Sequence, residues 1–208
     1  MITTLRRPKE TQLILASTSP FRRELLERLG IKFECVPPDI DETPLENESA
    51  RDLAERLALM KATHVATTHP VAVVIGSDQC ATINGEIIGK PGNHENAVNQ
   101  LKNASGQHLR FHTGIAVVSL CDNKIRRDVI DYDVYFRELG DEEIENYLRR
   151  EQPYQCTGAF KSEALGITLV EKFAGDDPSA LIGLPLIRLC ALLHEIGLDV
   201  LKTNRAEA

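Results

Sequence analysis

The stretch "VAVVIGSDQ" (71–79) limits the fold more than any other part of this chain. An apolar run without alternation reads as a strand buried on both faces, and its abrupt change to Ser77, Asp78 and Gln79 ends that burial. Around it, strand and helix patterns alternate. "LILA" predicts a strand over 13–16, Ser19 and Pro20 open a helix over 20–29, and a strand follows at 32–36. Ser49 with Asp52 forms a capping box for a helix to about Ala66, with Leu53, Leu57, Met60 and His64 on one face. Further helices are predicted over 93–103, 141–150 and from Pro185 to Glu195, the last closed by Gly197. Two long β patterns, 108–120 and 124–136, join at "LCDNK" as a hairpin. The reading is a mixed α/β fold, an elongated sheet flanked by helices, with two lobes about a central cleft.

Residues 1–12 read as a polar lead-in and 13–208 as a single domain. At 208 residues the chain can bury a substantial core. A net charge of −7 argues against coating a nucleic-acid polymer. No apolar run approaches a membrane span, and no secretion signal is apparent. The five cysteines are scattered without metal or redox spacing, which suits a reducing cytoplasm.

The helix opening at Ser19 presents a charge problem. Helix N-termini carry partial positive charge and free N–H groups, yet Arg22 and Arg23 stand in this first turn. An anion resolves the conflict, and Ser17 and Ser19 add hydroxyls that suit a polyphosphate. The alternative is that both arginines point into water. Phe21 stands four residues before Leu25 and eight before Leu29, a spacing that favours core packing.

Elsewhere, single residues are ambiguous. Asp78 ends the buried strand, where a carboxylate can bind a ligand or simply cap a turn. Asp41 and Glu42, with Asp39 near, suit a hard cation or form a solvated loop. Lys61 flanks an apolar helix face and could snorkel. Lys90, between Gly89 and Pro91, could meet a phosphate or lie exposed in a turn. His112 reads as a strand histidine, and no P-loop or serine-hydrolase elbow is present.

Taken together, "LILASTSPFRRELLERLG", "DIDETP", "RLALMKA", "IGSDQ", "IIGKP", "HTGIAV", "GAFKSEALG" and "DDPSALIGLPL" occur in this order. The set, from Leu13 to Leu201, resembles the Maf family of nucleoside triphosphate pyrophosphatases. The resemblance implies attack of water on the α-phosphorus of a nucleoside triphosphate, releasing pyrophosphate with a divalent cation (Mg, Mn or Co). It also implies a fold similar to inosine triphosphatases, and a homodimer. By the same resemblance Asp78 is catalytic and, with Glu42, holds the metal. Ser17, Arg22, Lys61 and Lys90 bind substrate.

Three departures set the substrate. The pyrimidine-specific branch of the family has arginine directly after Ser-Pro, threonine after the catalytic aspartate, and glutamine in the late loop. This chain has Phe21, Gln79 and Glu163 there, which resembles the 7-methyl-GTP branch, whose members carry tryptophan at the Phe21 position. An aromatic face attracts a methylated, cationic guanine, and a carboxylate accepts from guanine N1–H and its exocyclic amine. That reading implies removal of modified nucleotides before they enter nucleic acid. The alternatives are a dTTP/UTP or broader nucleotide pyrophosphatase, and a non-catalytic regulator of septum formation and cell division.

Overall fold

The computed structural model describes residues 12–202, so the expected lead-in lies outside the described residues except for Gln12. The elements are β1 (Leu13–Ala16), α1 (Pro20–Glu27), β2 (Glu34–Cys35), α2 (Ala50–Thr68), β3 (Val73–Ile83), β4 (Glu86–Ile88), α3 (His94–Ala104), β5 (His108–Ser119), β6 (Lys124–Phe136), α4 (Asp141–Glu151), β7 (Val170–Ala174), α5 (Pro178–Ile182) and α6 (Leu186–Glu195). The strands form one seven-stranded sheet in the order β2-β1-β3-β5-β6-β7, with β4 also on β3. β1 pairs in parallel with β2 and β3, and the remaining pairings are antiparallel. This is the expected mixed α/β architecture.

Side-chain alternation explains why both faces of the sheet are covered. Leu13, Leu15, Val73 and Ile75 point to one face, where α1 and α6 bring Leu25, Leu26, Leu189, Leu192 and Leu193. Ile14, Ala16 and Val74 point to the other, under Ala58, Ala62 and Val65 of α2. Further along β3 and β5, a separate core gathers Ala81, Ile83, Leu109, Phe111, Leu101, Ile144 and Leu148 from the sheet, α3 and α4.

A polar belt divides the two cores on the α1/α6 face. Ser77 and Gln79 lie between Ile75 and Ala81 on β3, and Thr113 lies between Phe111 and Ile115 on β5. Gln79 and Thr113 are register partners. The two lobes expected from the sequence are these two cores, spanned by the same long strands.

The helix α2 approaches the sheet unusually closely. A Cβ on Gly76 would lie 2.2 Å from the Ala58 carbonyl oxygen, and one on Gly114 would lie 2.1 Å from that of Ala54. Only glycine on the strand and alanine on the helix allow this contact. The buried helix face is therefore Ala54, Ala58, Lys61, Ala62 and Val65 with Leu53 and Leu57. Met60 and His64, expected on that face, are turned outward. Ser49 caps the helix as predicted, accepting from the Asp52 N–H at 3.1 Å and donating to its Oδ2 at 2.6 Å.

Candidate active site

Asp78 does not end its strand, as the polar change had suggested, but sits in the middle of it. The edge of β3 that faces β1 is paired only as far as Gly76, and β4 takes up the same edge at Ala81. Among the described residues no strand covers that edge between those points. Asp78 thus stands beyond the carboxyl end of β1, where α/β sheets commonly bind ligands. The sequence reading of a strand end applies to β1 rather than to β3.

The side chain of Asp78 points towards α2, on the same face of β3 as Gly76. Lys61 Nζ lies 2.6 Å from Asp78 Oδ1 and 2.7 Å from Glu42 Oε1. Lys61 is 4% exposed, so its ammonium is buried between two carboxylates rather than snorkelling to water. Glu42 reaches in from the exposed loop after β2. That loop is strapped to α2 by Arg56, whose Nε and Nη2 donate to Glu48 Oε1 and Oε2 at 2.6 and 2.7 Å. These bonds pull the Glu48 carboxyl down to about 2. Asp41 instead faces Thr43, whose hydroxyl first and then its N–H, at 2.9 Å, lower the Asp41 carboxyl, and it stays exposed with Asp39.

Arg22 enters from the first turn of α1. Ser19 caps this helix, accepting from the Arg22 N–H at 3.4 Å, with Pro20 at its first position. Arg22 Nε donates to the Gly183 carbonyl at 2.9 Å. Burial pulls its guanidinium down from the usual arginine range, while the charges of Asp78 and Glu42 act in the opposite direction. Arg23 is exposed and pairs with Glu27 at 3.0 Å, so the solvated reading holds for it. Ser17 is buried, and its Oγ accepts from the Ser19 N–H at 3.1 Å.

These residues surround one cavity of about 510 Å³, a size suited to a small-molecule ligand. Its walls include Ser17, Phe21, Arg22, Glu42, Lys61, Asp78, Gln79, Lys90 and Glu163. Every site residue expected from the sequence therefore borders the same space. Phe21 is half-buried at this wall rather than in the core with Leu25 and Leu26, and Lys161 Nζ lies 5.8 Å from its ring centroid. Lys90 and Glu163 are exposed at the cavity. His112 lies outside the wall and meets Asp131 Oδ1 at 2.8 Å.

The cavity wall is also supported by contacts that no local pattern indicates. Ser77 Oγ and Thr113 Oγ1 donate to the Gly183 and Ala180 carbonyls, each at 2.9 Å. Gln79 Nε2 donates to Ala180 and Leu181. Their partners lie far away in sequence, so periodicity gives no sign of them.

The donor set suits a hard divalent cation. Two carboxylates converge on one buried ammonium, a position that already favours positive charge. Among the described residues no cluster of three or more His, Cys, Asp or Glu could hold a metal. A magnesium-like ion commonly binds through one or two carboxylates, with phosphates and water filling the other positions. All five cysteines are free, and burial pushes the Cys80 thiol up to about 12. Among the described residues no helix is long and apolar enough to cross a membrane.

The family model described as Maf-like protein matches residues 12–196, which span every residue of this site. The chain belongs to the Maf family. Similar Maf-family relatives are named 7-methyl-GTP pyrophosphatase. That of a Polaromonas species is 55% identical over 91% of this chain and 87% of its own length. That of Nitrosococcus oceani is 52% identical over 93% of this chain and 98% of its own. That of Vibrio parahaemolyticus is 50% identical over 93% of this chain and 100% of its own. Among solved structures, a HAM1 protein from Coxiella burnetii overlaps this Maf-family chain with a TM-score of 0.41 and 17% identity, covering 61% of this chain and 73% of that one.

Proposed function

We propose that this chain is a nucleoside triphosphate pyrophosphatase that converts 7-methyl-GTP to 7-methyl-GMP and pyrophosphate, with residues 13–208 acting as one domain. The observation that carries this reading is that Phe21 and Glu163 share one cavity with Arg22, Lys61 and Asp78. The names of relatives at 50–55% identity support it.

The two sets of residues suit the two halves of the substrate. N7 methylation makes the guanine ring cationic, and Phe21 offers it an aromatic face. Glu163 accepts hydrogen bonds from N1–H and the exocyclic amine, and its charge favours the cationic base. A pyrimidine lacks that donor edge and leaves Glu163 poorly paired. Arg22, Lys61 and Lys90 meet the triphosphate, and Ser17 adds a hydroxyl. Cleaving a triphosphate is mainly positioning and charge stabilisation, so this concentration of cations suits the step.

Lys61 holds Oδ1 of Asp78. Oδ2 is then the atom that orients the water and takes its proton as the new bond to the α-phosphorus forms. The bond from the α-phosphorus to the oxygen that bridges it to the β-phosphorus breaks, and pyrophosphate leaves with that oxygen and the electron pair. Glu42 and Asp78 would hold a divalent cation (Mg, Mn or Co), which supplies charge neutralisation on the phosphates. Lys61, held between these two carboxylates, would also be available to a phosphate oxygen.

Removing methylated GTP would keep it out of nucleic acid. The free cysteines suit a reducing compartment, and we assign the chain to the cytoplasm, acting as a homodimer. Relatives named for 7-methyl-GTP favour neither the dTTP/UTP reading nor a non-catalytic division regulator. A panel of nucleotides assayed for pyrophosphate tests the proposal. It requires the highest kcat/KM on 7-methyl-GTP, and faster turnover of UTP or dTTP would reject it.

A further inference from the structure

The face of β3 away from α2 carries hydrogen bonds that the proposed chemistry does not use. Ser77 is fully buried and does not border the cavity, so it cannot touch a ligand there. Its Oγ lies 2.8 Å from the Gly114 carbonyl and 2.9 Å from that of Gly183. The Gly183 oxygen is also the acceptor for Arg22 Nε, at 2.9 Å. One atom therefore joins a buried strand serine to the arginine of the cavity.

Gln79 holds the same segment from the next position on that face. Its Nε2 lies 3.0 Å from Thr113 Oγ1, 2.9 Å from the Ala180 carbonyl and 3.1 Å from that of Leu181. An amide nitrogen has two hydrogens, so three acceptors saturate it. The last carbonyls of a helix are short of partners within it, and here strand side chains reach those of Leu181 and of Ala180, which also accepts from the Gly183 N–H at 3.0 Å. At the other end of α5, Asp177 is buried and accepts from the N–H groups of Ser179 and Ile187 at 3.1 and 2.8 Å. The segment from Asp177 to Gly183 is thus fixed at both ends.

We propose that Ser77 and Gln79 are positioning residues for Arg22. They fix α5 and the Gly183 carbonyl, and that carbonyl holds Nε so that the remaining guanidinium N–H groups face the cavity. Gln79 then acts on the phosphate grip through its amide nitrogen. The inference rests on the polyphosphate reading of the cavity.

The probe is inorganic tripolyphosphate, with binding measured by calorimetry on the full chain. Ser77→Ala weakens binding about fivefold, the usual size of one lost hydrogen bond. It adds little in an Arg22→Gln background, because both act through one contact. Ser77→Cys keeps a donor and recovers part of the loss. In Ser77→Ala and Gln79→Met alike, kcat/KM falls in parallel for 7-methyl-GTP and UTP.

Unchanged tripolyphosphate affinity in Ser77→Ala, or full additivity with Arg22→Gln, would overturn the inference. So would a Gln79→Met variant with altered nucleotide preference and unaltered tripolyphosphate affinity, which would make Gln79 a base reader. If Ser77→Ala does not fold, Gln79→Met carries the same comparison. Tripolyphosphate binding does not depend on turnover. A chain whose tripolyphosphate affinity depends on Ser77 as described yet hydrolyses no nucleotide would reject the proposed function and leave this inference standing.

Discussion

Gly76→Ala is a one-carbon change that reaches the site through packing alone. The added Cβ would lie 2.2 Å from the Ala58 carbonyl oxygen, 2.7 Å from the Ala62 nitrogen and 2.9 Å from its Cβ. Two of these are helix backbone atoms and cannot rotate away. Ordinary contact begins near 3.4 Å, so α2 must retreat from the sheet by about 1 Å. Lys61 lies between Ala58 and Ala62 and moves with them, away from Asp78 at 2.6 Å. Overpacking of this kind costs about 1–3 kcal/mol. For a chain of this size that lowers Tm by roughly 2–12 °C. A displacement of about 1 Å in a catalytic constellation can cost on the order of a hundredfold in rate. Thermal unfolding by circular dichroism and kcat from pyrophosphate release measure the two effects. Gly114→Ala meets the Ala54 carbonyl at 2.1 Å, further from Lys61. It loses comparable stability and less activity. Wild-type Tm and kcat in Gly76→Ala would refute the idea that close helix packing sets the Lys61–Asp78 contact.

Other substitutions test separate parts of the site. Phe21→Leu keeps apolar bulk and removes the aromatic face. The kcat/KM ratio of 7-methyl-GTP to GTP then drops about two- to fivefold, the share expected of a half-exposed cation–π contact, whereas an equal loss on both nucleotides would assign Phe21 to packing. Asp78→Asn lowers pyrophosphate release at least about a hundredfold while far-ultraviolet dichroism is retained; near-normal turnover would remove Asp78 from the chemistry. Chelation of divalent cations abolishes turnover and added magnesium restores it, and activity indifferent to chelator would contradict the Glu42–Asp78 assignment. Glu48→Gln removes a carboxyl whose folded value is near 2 and whose unfolded value is near 4.5. Glu48 therefore stabilises the fold above about pH 4.5 and loses that contribution as pH falls towards 2. The variant is less stable at pH 7 and shows a shallower acid limb in that window.

The sequence conveys the long elements of this fold because each has its own local signal. Helix α2 announces its start through Ser49 and Asp52, and the hairpin of β5 and β6 through long β patterns about a turn. β4 and β7 lack such signals, being three and five residues long and set by their neighbours, and α5 has its cap in Asp177 and Pro178 but at five residues is too short for a periodic pattern. β3 runs past Asp78 because the antiparallel ladder to β5 continues through the polar belt. At the site, helical spacing favours the core for Phe21 and surface snorkelling for Lys61. Both expectations fail for one reason: a cavity interrupts the boundary between core and solvent. The Gly183 carbonyl that holds Arg22 is legible only in three dimensions, since its partners come from α1 and β3.

Pyrophosphate release across a matched panel of 7-methyl-GTP, GTP, UTP and dTTP tests the proposed chemistry most directly. The geometry of Phe21 and Glu163 predicts the highest kcat/KM on 7-methyl-GTP, with one pyrophosphate formed per 7-methyl-GMP. Faster turnover of either pyrimidine nucleotide, or release of orthophosphate in place of pyrophosphate, would contradict it.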